Sequence, residues 1–329
     1  MSFINHMLKT KWPIIQGGMG NISNAQLTAA VSEAGGLGTL GCGTLPPDTV
    51  EAMMMQTKEM TDKSFAVNIP INVTSHTDTL IDLVIQHHIP VVSLSAGNPA
   101  SIIPRLKNAG IKVLVVVSSV KHAVKAEAAG ADALVAEGFE AAGINSPLEL
   151  TTFTLIPQVV KHVRVPVVAA GGIGDGKGLA AALALGASGV QIGTRLIATK
   201  EAPFHADYKQ KILEAEGTDA IVVGRSLGKP RRVLDTPYTR QLNASEKENL
   251  TLEHYENITS EAFHLKGALE GNGEQGFMNS GQVAGLIDAI PSVHELFYEM
   301  MQAAKNQLSS LTSQFENIAH NKSDEASLS

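Results

Sequence analysis

A single cysteine, Cys42, stands among 329 residues, which excludes an internal disulfide and suits a reducing compartment. Aromatic residues are scarce too, at 4%. With Gly, Ala, Val and Ile abundant instead, buried parallel strands are favoured over an all-β sandwich. No segment reaches the ~20 apolar residues that would span a bilayer. The opening "MSFINHMLKTKWPIIQ" also lacks the apolar run of a signal peptide, so a cytoplasmic location is the expectation. Positive charge is not in excess: the net charge of −7 speaks against nucleic acid as a main partner. No His, Cys or carboxylate spacing has the form of a zinc site, and no metal is expected.

What is present is a chain 44% hydrophobic and 17% charged, the balance of a globular protein with a large core. Short β-rich apolar runs alternate with helical patterns from Pro13 to Thr194. The runs are "PIIQ" (13–16), "GLGTLGC" (36–42), "FAVNIP" (65–70), "PVVSLSAG" (90–97), "KVLVVVSS" (112–119), "ALVAEG" (133–138), "VPVVAAGG" (165–172) and "GVQIGT" (189–194). Stretches such as "DTLIDLVIQHH" between them repeat apolar residues at three and four. Eight such units in series favour a closed (β/α)8 barrel, although an open doubly wound sheet would give the same alternation. Several runs end in small or polar residues, which a barrel would gather on its C-terminal face, where ligands bind.

The pattern changes after Thr194. The expected division is a barrel over 1–200, a mostly helical lid over 201–306 that returns to it, and a polar tail over 307–329. Residues 220–237 read as extended or loop structure with a basic patch.

Glycines close the seventh and eighth runs, in "VVAAGGIGDG" and "GVQIGT". Such loops let backbone N–H groups approach a phosphate, and barrels often bind phosphate there. Tight turns alone would also explain them. "GGIGDG" is not a dinucleotide fingerprint: counting from Gly172, the sixth position is Lys177. A flavin mononucleotide (FMN) or a phosphorylated substrate suits the pattern better.

These segments, with "PIIQGGMG", "AAVSEAGGLGTLG", "AGADALVAEG" and "SGQVAGLI", resemble the nitronate monooxygenase family, which includes flavin-dependent enoyl-acyl-carrier-protein reductases. The resemblance runs from about Pro13 to Ile290. It implies an FMN-bearing barrel with a smaller helical domain closing over the flavin. Carried over by position, Gly18 and Met19 would lie beside the flavin ring and Asn68 would hydrogen-bond the cofactor. Gly171, Gly172, Gln191, Ile192, Gly193 and Thr194 would bind its phosphate, largely through backbone amides. The segment Ser280 to Gln282 would bring the closing domain back to the flavin.

One departure matters for chemistry. Many relatives carry a His after a glycine pair in the loop after the sixth strand, assigned to proton transfer or substrate contact. The matching place here reads Ala142-Gly143-Ile144-Asn145, within a longer segment through Ser146 and Pro147. Asn145 cannot exchange a proton near neutral pH. A nitronate, already an anion, needs no base, whereas a neutral nitroalkane must first lose a carbon-bound proton. The expected activity is oxidation of alkyl nitronates with O2. The alternatives are an enoyl-thioester or quinone reductase using NADH or NADPH, and a flavin-binding protein with weak catalysis. A flavin-free sugar-phosphate enzyme is a further alternative on the phosphate loops alone. A small-molecule substrate and a homodimer complete the expected partners.

Other candidates carry alternative readings. Glu137 and Glu140, at the end of the sixth strand, could orient Asn145 or a flavin hydroxyl, or simply be solvated. His122, opening the helix after the fifth strand, is a substitute for the missing His or a surface residue. Cys42 reads as a small core residue, and His87-His88 as solvated. Arg231-Arg232 could meet the phosphates of a pyridine nucleotide or coenzyme A, or lie in a solvated basic loop.

Overall fold

The computed structural model describes residues 4–248 and 250–326, with side chains to residue 318. Its centre is eight parallel strands: β1 (Ile14–Gln16), β2 (Gly38–Gly41), β3 (Phe65–Pro70), β4 (Val91–Ser95), β5 (Lys112–Val117), β6 (Ala133–Glu137), β7 (Val167–Ala170) and β8 (Gly189–Ile192). Each of the eight apolar runs contains one of them. Neighbours pair in sequence order, and β1 pairs with β8. A parallel bridge between Ile15 and Leu37 joins β1 to β2, so the sheet closes on itself as a TIM-type barrel.

Strand periodicity divides the core in two. Outward residues such as Val67, Val92, Leu134 and Val190 pack under the surrounding helices. Inward residues Ile15, Leu37, Ala66, Val91, Leu114, Ala133, Val135 and Val168 fill the interior, and Ile4 and Leu8 of the helix Ile4–Leu8 join that cluster. Farther along the strands, the inward positions turn polar. Asn68 lies in register with Ser93, and Glu137 with Ala170, which in turn faces Gln191. The interior is thus apolar below and polar at the mouth.

Seven helices follow the first seven strands: α1 (Ala25–Glu33), α2 (Pro47–Met60), α3 (Thr77–Gln86), α4 (Ile103–Asn108), α5 (Val120–Ala128), α6 (Thr152–His162) and α7 (Gly176–Ala184). Several begin on a capping side chain. Asn24 accepts from the Leu27 amide at 2.8 Å, and Asp175, within "GGIGDG", accepts from Gly178 at 2.7 Å.

The chain then leaves the barrel. Strands Ala220–Val223 and Arg231–Leu234 pair antiparallel, and helices Pro237–Lys247, Leu252–Ile258 and Glu261–Ala268 follow. A third strand in this small sheet, Gly143–Ile144, comes from the loop after β6. The cap is therefore zipped to the barrel by backbone hydrogen bonds.

From Val293 the chain forms the outer wall rather than the lid. Helix α8 (Val293–Ala326) packs against α7 and α1, the place of an eighth barrel helix, burying Val293, Phe297 and Met300. The segment from 307, expected as a polar tail, continues this helix to Ala326. Its polar composition reflects solvent around the helix beyond Ala304, since residues 308–318 are exposed. No helix among the described residues is long and apolar enough to cross a membrane.

Candidate active site

The polar end of the barrel opens into a cavity of about 720 Å³ beneath the cap. Gly18, Met19, Asn68, His122, Glu137 and Asn145 all line it, as do Gly171, Gly172, Gln191, Ile192, Gly193 and Thr194. Residues from six separate strand ends and loops thus meet at one place.

On the β1 side, the loop Gly17–Gly20 lies against Asn68. A Cβ on Gly18 would come within 2.7 Å of the Asn68 side chain, so only glycine permits this approach. The Asn68 amide donates to the Ser93 carbonyl (3.2 Å) and to the Ser93 and Ser95 hydroxyls (3.3 and 3.2 Å). These bonds fix its orientation and leave Oδ1 as an acceptor.

On the β7–β8 side, Gly171 and Gly172 hold φ of +94° and +75°, a region that favours glycine. The backbone amides of Gly172, Gly193 and Thr194 have no acceptor among the described residues. A Cβ on Gly193 would enter open space. Unpaired donors around an open concavity form an anion cradle. The Thr152 hydroxyl, at the start of α6, bonds the Gly171 carbonyl at 2.9 Å and braces this turn. Ser280–Gln282 does return here: the Gly281 amide donates to Thr194 Oγ1 at 2.9 Å, and that of Gln282 to the Glu140 carbonyl at 3.0 Å.

The loop after β6 is internally committed. Asn145 is buried, and its amide nitrogen donates to the carbonyls of Ala141 (2.9 Å) and Gly143 (3.0 Å). Glu140 does not orient it; that carboxylate accepts from the Thr152 amide and hydroxyl. Glu137 faces the cavity with no hydrogen-bond partner among the described residues, and burial pushes its carboxyl up to about 7. His122 lies exposed at the rim, with Nδ1 3.3 Å from Ser118 Oγ. Cys42 is buried, and burial pushes its thiol up to about 12, in keeping with a core residue.

Arg231 and Arg232 are both buried, not solvated. Arg232 is structural: it donates to the carbonyls of Phe139 (3.0 Å) and Ala220 (2.8 Å) and lies over the Phe139 ring. Arg231 lines the cavity, as do Glu261, His264, Asn279 and Tyr208 from the cap side. The sequence reading missed the last four. Glu261 and His264 left one trace, a Glu-x-x-His spacing that puts both on one helix face. His264 Nδ1 sits 3.2 Å from Glu261 Oε2.

The nitronate monooxygenase family model matches residues 1–80 and 71–303 of the chain. Among solved structures, FabK from Thermotoga maritima superposes with a TM-score of 0.91 at 41% identity, covering 94% of this chain and 98% of its own. A Mycobacterium tuberculosis protein named (3aS,4S,5R,7aS)-5-hydroxy-7a-methyl-1-oxo-octahydro-1H-indene-4-carboxyl-CoA dehydrogenase is 33% identical over 93% of this chain and 96% of its own length. A "Probable nitronate monooxygenase" from Staphylococcus saprophyticus is 33% identical, covering 86% and 92%. With the barrel, the glycine cradle and these matches over most of its length, the chain belongs to the nitronate monooxygenase family of flavin-type oxidoreductases.

Proposed function

We propose that the protein is an FMN-dependent oxidoreductase that oxidises alkyl nitronates with O2. The amides of Gly172, Gly193 and Thr194 would hold the FMN phosphate, Asn68 Oδ1 would accept from the cofactor, and Gly18 and Met19 would lie beside its ring. These residues fit the group: the cradle donors are unpaired and the cavity has room for a flavin with a small substrate. When bound, FMN supplies two-electron redox chemistry at N5.

The observation that carries the nitronate reading is the commitment of Asn145. At the family's proton-transfer position, a carboxamide bonded to Ala141 and Gly143 cannot remove a proton from carbon. A base contributes ~10²–10⁴-fold to such a step. The substrate should therefore arrive deprotonated. Glu137, which burial pushes toward its neutral form, tolerates an anion beside it.

Acyl-thioester chemistry is the second reading. One relative is named for an acyl-CoA, and the cavity runs past Ser118 to His122 and Lys125, a basic rim suited to carrier phosphates. Reduction of an enoyl thioester would need NADH or NADPH as reductant.

The test is the anaerobic visible spectrum of FMN-replete protein. Ethylnitronate should bleach the flavin band, and neutral nitroethane should do so at least ~100-fold more slowly. Equal rates for the two would refute the nitronate reading. Bleaching by NADH or NADPH, reversed by an enoyl thioester, would put the second reading in its place.

A further inference from the structure

Arg231 and Arg232 are neighbours on one strand, so their side chains leave opposite faces. Arg232 is consumed by two carbonyls. Arg231, only 8% exposed, turns into the mouth. Its guanidinium lies 4.9 Å from the centre of the Phe277 ring. One nitrogen lies 3.5 Å from Asn279 Oδ1. These contacts leave donors of the five-donor fork for a ligand.

A guanidinium keeps its charge, and a buried charge requires a counter-charge. Burial works against the Arg231 cation, and Glu261 favours it. Yet Glu261 is engaged elsewhere, with Oε2 at His264 and its carboxylate close against Gly20 of the β1 loop. His264 Nε2 in turn meets the Asn279 amide at 3.1 Å, and its ring stacks on Phe277. Glu261, His264, Asn279 and Arg231 thus form one line of contacts from the β1 loop to the mouth, with His264 and Arg231 buried and Glu261 and Asn279 half-buried. That line holds the guanidinium in place from behind without covering its front.

We infer that Arg231 is the specificity-determining residue of the site, binding the two oxygens of a small planar oxyanion substrate in a forked contact. A nitronate and a carboxylate share that shape, and both would be accepted where an uncharged analogue would not. The inference rests on the reading of the mouth as a site for anionic substrates. Glu261, His264 and Asn279 are positioning residues that act through Arg231.

The experiment is calorimetric titration of FMN-replete protein with propionate, which mimics the nitronate oxygens, and with uncharged propionamide. Wild type should bind propionate and discriminate against propionamide by tenfold or more. Arg231→Met, which keeps the stack on Phe277, should weaken propionate ~10–100-fold, the range for a hydrogen bond to a charged group, with FMN affinity unchanged. Arg231→Lys should fall between, because it keeps the charge and loses the fork. Methylguanidinium should restore part of the affinity in Arg231→Ala. Propionate binding by Arg231→Met within twofold of wild type would overturn the inference. So would a wild type that binds the two ligands equally or does not bind propionate, an outcome readable even if every variant misfolds. Arg231-dependent propionate binding without nitronate turnover would leave the subsite standing and defeat the proposed reaction.

Discussion

The two walls of the mouth are built from different materials. The barrel wall lines the mouth mainly with glycines, backbone amides and uncharged side chains such as Gly18, Asn68, Gly172, Gly193 and Gln191, and keeps His122 and Lys125 to its exposed rim. The cap wall meets it with charged and titratable side chains: Arg231, Glu261 and His264. Backbone donors fixed by a closed sheet bind whatever phosphate fits the cradle, with little dependence on side-chain identity. A buried cation held by a chain of side chains depends on every member of that chain. Cofactor affinity should therefore belong to the barrel, and substrate choice to the cap.

The largest effect should come from breaking the barrel side at Gly171. At φ +94° an added Cβ would sit 2.9 Å from the Gly138 carbonyl. Relief requires the turn to move, and the strain is ~1–3 kcal/mol. Gly171→Ala should weaken FMN at least ~10-fold, the cost of ~1.4 kcal/mol. Titration of apoprotein with FMN checks this, alongside the propionate-to-propionamide ratio, which should survive in whatever fraction remains loaded. A Gly171→Ala protein with normal flavin affinity would remove the distinction between the walls, as would an Arg231→Met protein that loses flavin.

A smaller effect belongs to the seam between the walls. Arg232 holds the Phe139 carbonyl of the barrel loop and the Ala220 carbonyl of the cap. Arg232→Met keeps the bulk over Phe139 but leaves two carbonyls unpaired, at ~1–3 kcal/mol each. The melting temperature should drop by several degrees with flavin still bound. An unchanged melting temperature would mean that backbone pairing between Gly143–Ile144 and Arg231–Arg232 suffices to hold the cap.

The barrel wall was the legible part of the sequence, for a physical reason. Strand periodicity and terminal glycines are local signals, and β1 to β8 each fall inside an apolar run read from the chain. The cradle glycines carry their own evidence, because a positive φ at Gly171 and Gly172 is a property of the residue itself. The cap wall is assembled from residues far apart in sequence, so no local pattern announces it. Arg231 and Arg232 look alike in "KPRRV"; only the two faces of the strand separate a structural residue from one facing the mouth. Asn145 was noticed for what it lacks, but its ties to Ala141 and Gly143 depend on the loop's fold. The return of α8 to the wall was equally hidden, since a helix that buries one face on α7 reads much like one that buries it on a cap.

The smallest predicted effect tests whether the barrel wall is truly uncharged. Inside the rim, the carboxyl with no hydrogen-bond partner among the described residues is Glu137, which burial raises from an ordinary 4.5 to about 7. The unfolded chain releases this proton near pH 4.5, while the folded one keeps it until about 7. The unfolded state is therefore favoured progressively across that window. The group's contribution to stability is fully present below about pH 4.5 and is lost as pH rises through about 7. In the apoprotein, Glu137→Gln should remove this decline, so that denaturant unfolding shows wild type losing stability relative to the variant between those values. Parallel profiles would mean that Glu137 is ionised in the folded mouth at neutral pH. The barrel wall would then carry a negative charge in the mouth, and an anionic substrate would meet repulsion there.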